Sequence, residues 1–291
     1  MESSDHLTHV IQAYIDRMPS LSTTVNKVLE VCNSPKTSAN DLNRVISLDP
    51  VLTGHVLKLI NSAYYSLPNQ VSSLARAIIM LGLNTVKNLA LSTAVIGALG
   101  KKSCFTALSM DAFWAHSICV GVTAKALAAA NNVAGSERDE YFVAGMLHDL
   151  GKIPLNKCFA AEYAQALQLA ALEQGSLLRS EQLLVGIDHG MAGRLIGEKW
   201  RLAPSIVDSL AFHHAPEQAP ADSRTLVATV ALANLYANIY EIGSAGDTFP
   251  EAPFLMSILE MMDLKWTDLA PLHAIVRMEL DKAQVFLKLT E

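Results

Sequence analysis

Apolar residues recur along this chain at helical spacing, as in Leu52, Val56, Leu59 and Ile60, which share one helix face. Gly and Pro fall mostly between such segments, and Val/Ile/Thr alternation is scarce, so the whole chain reads as all-α. A short helix is expected over Val10–Arg17, broken by Met18-Pro19, and a second over Thr23–Asn33, capped by Ser20 or Ser22. After a turn at 34–37, Ser38 caps a helix over 39–48, with Asp41 near its positive end. Asp49-Pro50 opens the next with proline at the first position; it continues through Asn61–Tyr65 and stops at Leu67-Pro68-Asn69. Ser72-Ser73 caps 74–81, and Asn84 caps 86–99.

Residues 100–109 are polar and irregular, which marks a boundary between two helical parts, 1–105 and 106–291. The second part should hold helices over 110–130, from Ser136 into Met146, over 162–174 with Gly175 as the stop, and from His189 through Trp200. Others run from Pro204 to His213-His214 and over 225–242. A flexible loop follows at 243–253, and two or three packing helices close the chain over 254–289.

Composition narrows the class. The 291 residues are 51% hydrophobic, ample for a sizeable core. Only 17% are charged, the net charge is -6, and no basic cluster suits a phosphate backbone, which counts against nucleic acid as a partner. No uninterrupted apolar run reaches the roughly 18 residues of a membrane span, and the polar start lacks a signal-peptide core. Cys32, Cys104, Cys119 and Cys158 form no CxxC pair, which fits free thiols in a reducing cytosol. A cytoplasmic protein is expected.

Candidate chemistry centres on Ala144–Lys152, where an apolar run leads into His148-Asp149, then Leu150, Gly151 and Lys152. Neighbours on a helix diverge by about 100°, so the pair converges on one ion only where backbone and rotamers cooperate. Imidazole and carboxylate are both good ligands for transition metals. The glycine permits a turn or a close backbone approach, and Lys152 could then reach an anionic oxygen. Taken alone, the dipeptide reads equally as a helix C-terminus, with Gly151 as stop and Lys152 complementing the dipole. Further histidines, His116, His189, His213 and His214, sit in apolar surroundings near helix middles or ends. Burying so many imidazoles unpartnered is costly, and a shared metal site relieves that cost. His6, His9, His55 and His273 read as surface or packing residues, Tyr64, Tyr65 and Trp114 as core or interface aromatics, and Asn61 and Ser62 as a lock between the halves.

The motifs Met18-Pro19-Ser20-Leu21, Ile46–Pro50, Asn61–Tyr65 and Ala77–Gly82 stand in an order that resembles HDOD domains, bacterial relatives of the HD phosphohydrolases, from Met18 to at least Pro216. The order His, His-Asp, His, His-His is similar to the binuclear branch of the HD superfamily. That resemblance implies one metal on His116, His148 and Asp149, and a second on His189, His213 and His214 with Asp149 bridging. It also implies Lys152 on a substrate phosphate. Its generic chemistry is phosphoester hydrolysis by two ions that clamp the phosphate and acidify a water.

Two departures stand out. Asn234 occupies the place where HD enzymes carry a late aspartate; its amide oxygen can still ligate but brings no charge, so the first ion binds more weakly or is absent. No Gly-Tyr-Pro motif follows His213-His214, which argues against a cyclic di-GMP phosphodiesterase of the HD-GYP kind. Two readings result: an HDOD signalling output module that keeps a divalent transition metal and works through signalling proteins, or a metal-dependent phosphohydrolase on a nucleotide or small phosphoester. Asp149 and Lys152 are the catalytic candidates, and Fe, Mn, Zn and Ni suit the ligand set equally, as one ion or two.

Overall fold

The computed structural model describes residues 2–18, 21–32, 37–99 and 105–287. The expected break at Pro19, most of the turn at 34–37, Cys104 and residues 100–104 of the boundary lie outside this range. The described residues form α-helices, short 3-10 turns and loops, with no strand among them. In order the helices are α1 (Glu2–Arg17), α2 (Thr23–Cys32), α3 (Ala39–Ile46), α4 (Pro50–Ile60), α5 (Leu74–Leu81) and α6 (Leu83–Leu99). Then come α7 (Met110–Ala130), α8 (Arg138–Leu147), α9 (Lys152–Cys158), α10 (Ala160–Glu173), α11 (Leu177–Leu184), α12 (His189–Lys199) and α13 (Pro204–Phe212). The last are α14 (Arg224–Ile239), α15 (Ala252–Met261) and α16 (Ala270–Leu287).

Caps explain several boundaries. Ser38 and Asp41 form a reciprocal capping box on α3. Asp49 Oδ1 accepts the Leu52 N–H and Pro50 takes the first position of α4, while Ser73 and Ser109 cap α5 and α7. Other expectations are corrected. α4 stops at Ile60, because the Asn61 side chain turns to the backbone of Val71, donating to its carbonyl (2.8 Å) and accepting its N–H (2.7 Å). Asn61 therefore closes its own loop and does not lock the halves together. Asn84 lies inside α6, which begins at Leu83. Glu137, not Ser136, precedes α8, without a side-chain cap. α10 ends at Gln174 in a left-handed conformation (φ 50°), one residue before Gly175. Helices α9 and α11 were not expected.

Helix α7 is the axle of the molecule and packs on α8, α14 and α16. It is the described helix long and apolar enough by length and composition to cross a membrane, but 72% of its apolar window is buried inside this fold, as befits a core helix. α7 and α8 approach closely because Gly121 and Gly145 face each other: a Cβ on Gly145 would stand 2.9 Å from the Gly121 Cα. That proximity fixes the spacing of His116, on α7, from His148, just past α8.

A polar cluster ties the earlier helices to this axle. Asp139 on α8 accepts from Thr85 Oγ1 on α6 (2.5 Å) and pairs with Lys125 Nζ on α7 (2.7 Å). Lys125 also lies over the Tyr64 ring, 4.9 Å from its centroid. Tyr64 packs against Phe142 and Phe286, as expected of an interface aromatic. At the other end, Lys199 Nζ, at the end of α12, donates to the carbonyls of Ile15, Asp16 and Met18 at the C-terminus of α1. Cys32, Cys119 and Cys158 are unpaired, and burial pushes the Cys119 thiol up to about 12.

Asp139→Ala would leave Lys125 and Thr85 without their shared acceptor. The expected cost is about 1–3 kcal/mol, read as a lower urea midpoint. Breaking the exposed Arg194–Glu198 pair with Arg194→Ala should cost less than about 0.5 kcal/mol in the same assay.

Candidate metal centre

The turn after α8 solves the problem of the adjacent His148 and Asp149. Leu150 N donates to Leu147 O, Lys152 N to Asp149 O and Ile153 N to Leu150 O, at 2.9, 2.9 and 3.2 Å. These i→i+3 bonds tighten the backbone and bring both side chains inward. Gly151 has an ordinary negative φ of -63°, so its role is close approach: a Cβ there would lie 1.8 Å from the His189 carbonyl oxygen. α8 does end here, at Leu147, but Gly151 is not its stop and Lys152 pairs with carboxylates rather than with the helix end. Gly151 leads into α9, and Lys152, its first residue, is fully buried.

The side chains proposed from sequence converge. Asp149, on the floor of the site, divides its oxygens. Oδ1 lies 3.4 Å from His189 Nε2 and 3.6 Å from His213 Nε2. Oδ2 lies 3.3 Å from His148 Nε2, 3.9 Å from His116 Nε2 and 2.9 Å from Lys152 Nζ. His189 Nε2 is 3.2 Å from His213 Nε2 and 3.0 Å from His214 Nε2. Two groups suited to a metal ion emerge, His189/His213/His214 and His116/His148/Asp149.

The donor chemistry fits a cation. His148 Nδ1–H donates to Gly145 O (2.7 Å), His213 Nδ1–H to Ser209 O (2.9 Å) and His189 Nδ1–H to Glu181 Oε2 (2.6 Å). In its neutral form each ring then presents a bare Nε2 lone pair to the centre. Lone pairs of His189 and His213 facing each other at 3.2 Å repel unless a positive charge lies between them. Ligand bonds of about 2.0–2.2 Å separate neighbouring donor atoms by roughly 3–3.5 Å, the spacing seen in the His189 group. His148 Nε2 is buried without a hydrogen-bond partner.

Burial keeps three of the imidazoles neutral. Burial lowers His116 to about 3 and His213 to about 4, and holds His214 well below its ordinary value. For His189 burial pulls down most strongly, but the charge and hydrogen bond of Glu181, together with the charge of Asp149, leave it raised. Burial alone would raise Asp149, but His148 and Lys152 hold it well below the carboxylate range. Lys152 is raised against its own burial by Asp149 and Asp247.

The His116 side differs. Its Nε2 lies 3.0 Å from Asn234 Oδ1, which also accepts from Asn238 Nδ2 at 3.3 Å, and its Nδ1 has no partner. Asn234 thus stands at the centre as expected, yet it can hold His116 by a hydrogen bond without an ion. Asp208 does not substitute for a late aspartate, since it accepts from Ser223 Oγ (2.6 Å), and Asp222 is exposed. His273 takes a packing role, its Nδ1 2.6 Å from the Tyr236 hydroxyl.

Two contributors escaped the sequence reading. Glu181, fully buried on α11, takes both the backbone N–H (2.9 Å) and Nδ1–H of His189. A glutamate inside an apolar helix pattern eight residues before a candidate ligand was the available signal. Asp247, on the loop after α14, reaches Lys152 Nζ at 3.0 Å, and nothing local in the sequence marks it.

The HDOD domain family model matches residues 18–216. An HDOD domain protein of unknown function from Geobacter sulfurreducens has a similar structure, at TM-score 0.73 and 25% identity, over 95% of this chain and 97% of that one. A structure from Shewanella amazonensis SB2B shares the fold at TM-score 0.74 and 23% identity, over 97% and 98% of the two chains. An uncharacterized protein of Treponema pallidum (strain Nichols) is 25% identical over 221 residues; the match takes in 76% of this chain but 42% of that relative's length.

Glu181→Gln should leave the fold intact and weaken metal affinity about 10–100-fold, measured by competition with a chelating dye. Gly151→Ala, which drives a methyl group into the His189 backbone, should lower the melting temperature and abolish tight metal binding together.

Proposed function

Because this chain belongs to the HDOD domain family, we propose that it is a cytoplasmic signalling output module built around a retained divalent-metal centre. On this reading the two helical parts meet near residue 105. The observation that carries it is the cluster in which His189 Nε2 lies 3.2 Å from His213 Nε2 and 3.0 Å from His214 Nε2, closed by Asp149 Oδ1. One ion binds tightly there, with Glu181 orienting His189. A second binds weakly on His116, His148 and Asp149 Oδ2, because Asn234 supplies no charge. A transition metal so held would supply Lewis acidity toward a phosphate oxygen. Lys152 carries the positive charge that faces the same oxygen, and a signalling partner reads the state of the centre from the surface.

A second reading, hydrolysis of a nucleotide or small phosphoester, is favoured by one observation, the division of the Asp149 oxygens between the two groups. The access cleft, about 280 Å³ and lined by His214, Asn234 and Asn238, suits a small ligand.

Elemental analysis of untagged protein should find one tightly held ion per chain. His213→Ala should lose it, and Asn234→Asp should gain a second. A well-folded wild type that takes up no Mn, Fe, Zn or Ni would end this reading. Turnover in a phosphoester screen that Asp149→Ala abolishes would favour the hydrolase.

A further inference from the structure

The loop expected to be flexible is a strap fastened into the centre. It joins α14 to α15, and its Ser244 N–H donates to Ala112 O on α7 (3.0 Å). Ala245 is buried. Asp247 follows, and both its oxygens are engaged. Oδ1 accepts the Leu177 N–H at the start of α11 (3.2 Å). Oδ2 pairs with Lys152 Nζ (3.0 Å) and lies 4.0 Å from His214 Nε2. The residue lines the access cleft. At the rim, Glu251 on the same strap pairs with Arg179 (3.6 Å), which lines the cleft too.

Two acids of the strap, Asp247 and Glu251, therefore cover two cations of the cleft, one deep and one at the mouth. Lys152 is wholly buried between Asp149 and Asp247, 2.9 and 3.0 Å away. Of these two carboxylates, Asp247 is the one on the cleft side. An anion entering from the cleft meets Asp247 on the lysine it would need. The place between Lys152 and His214, within reach of both the ammonium and the trio of imidazoles, is filled by a carboxylate of the chain itself.

We propose that Asp247 is a built-in occupant of the anion position, held on Lys152 by the strap and displaced when a phosphate group binds. This inference rests on the reading of the centre as one that receives phosphate. Displacement has a structural consequence. It removes the acceptor from the first N–H of α11, the helix whose Glu181 holds His189. Arrival of the anion is thereby passed to α11 and the strap, both at the protein surface.

The test is titration of the metal-loaded protein with inorganic phosphate, paired with amide hydrogen exchange. Asp247→Asn is the main variant, because its amide oxygen can still accept the Leu177 N–H. It should bind phosphate at least tenfold more tightly than wild type, with unchanged metal content. Adding phosphate to wild type should speed exchange at Leu177 and across residues 244–248. Asp247→Glu, which keeps the charge, should stay within about threefold of wild-type affinity. Equal or weaker phosphate binding by Asp247→Asn overturns the proposal. So does tighter binding with no change in wild-type exchange, since that is repulsion at a distance without displacement. Loss of metal from Asp247→Asn alone would make Asp247 a metal ligand and also overturn it. If wild type holds no metal, the metal reading fails separately. The same titration of the metal-free protein then decides the contest for Lys152, since that ion pair needs no metal.

Discussion

The structure turns on a carboxylate placed where water cannot reach it. Asp149 is 1% exposed, and an ionised group at such depth is tolerated only if paired. Its neighbours include two more carboxylates, Glu181 and Asp247, against a single lysine, Lys152. Most of the imidazoles around them are held neutral by burial. The pocket is thus short of positive charge by about what one divalent cation carries. The surrounding elements are closely fitted around this pocket. The tight turn at 148–152, the bare Gly151 against His189 and the glycine contact of α7 with α8 all serve to hold donor atoms at fixed distances.

Much of this was legible in the sequence, for physical reasons that can be named. Helix periodicity, caps at Ser38 and Ser73 and the first-position proline Pro204 are local, so α3, α5 and α13 could be read directly. Asn61 defeated that reading because its partner, Val71, lies ten residues away and beyond a loop. The clustered histidines were legible as a pattern. Glu181 and Asp247 were not, because each acquires its meaning from a contact across the fold: Glu181 from the turn that brings α12 back onto α11, Asp247 from a lysine 95 residues earlier. A glycine-containing loop with two prolines looks mobile in one dimension. In three it is pinned at Ala112 and Leu177.

Asn234 and Asp247 are best considered together. The resemblance to HD enzymes places a late carboxylate on the helix that is α14 here. This chain presents an amide there, and the strap immediately after α14 delivers a carboxylate to the opposite side of Lys152. Negative charge is thus supplied on the Lys152 side of the centre, while the His116 side carries a neutral amide. On the proposed reading, that arrangement exchanges catalytic strength for responsiveness to an anion.

Helix α12 has its first residue, His189, in the centre, and its last, Lys199, gripping three carbonyls at the end of α1. Eleven residues of α-helix make a rod about 16 Å long. A rod fixed at both ends transmits; it does not absorb. Any sliding or turning of α12 that accompanies a change at His189 must strain the Lys199 grip or carry α1 with it. The first helix of the chain is thereby joined, through one rigid rod, to the imidazole at its far end.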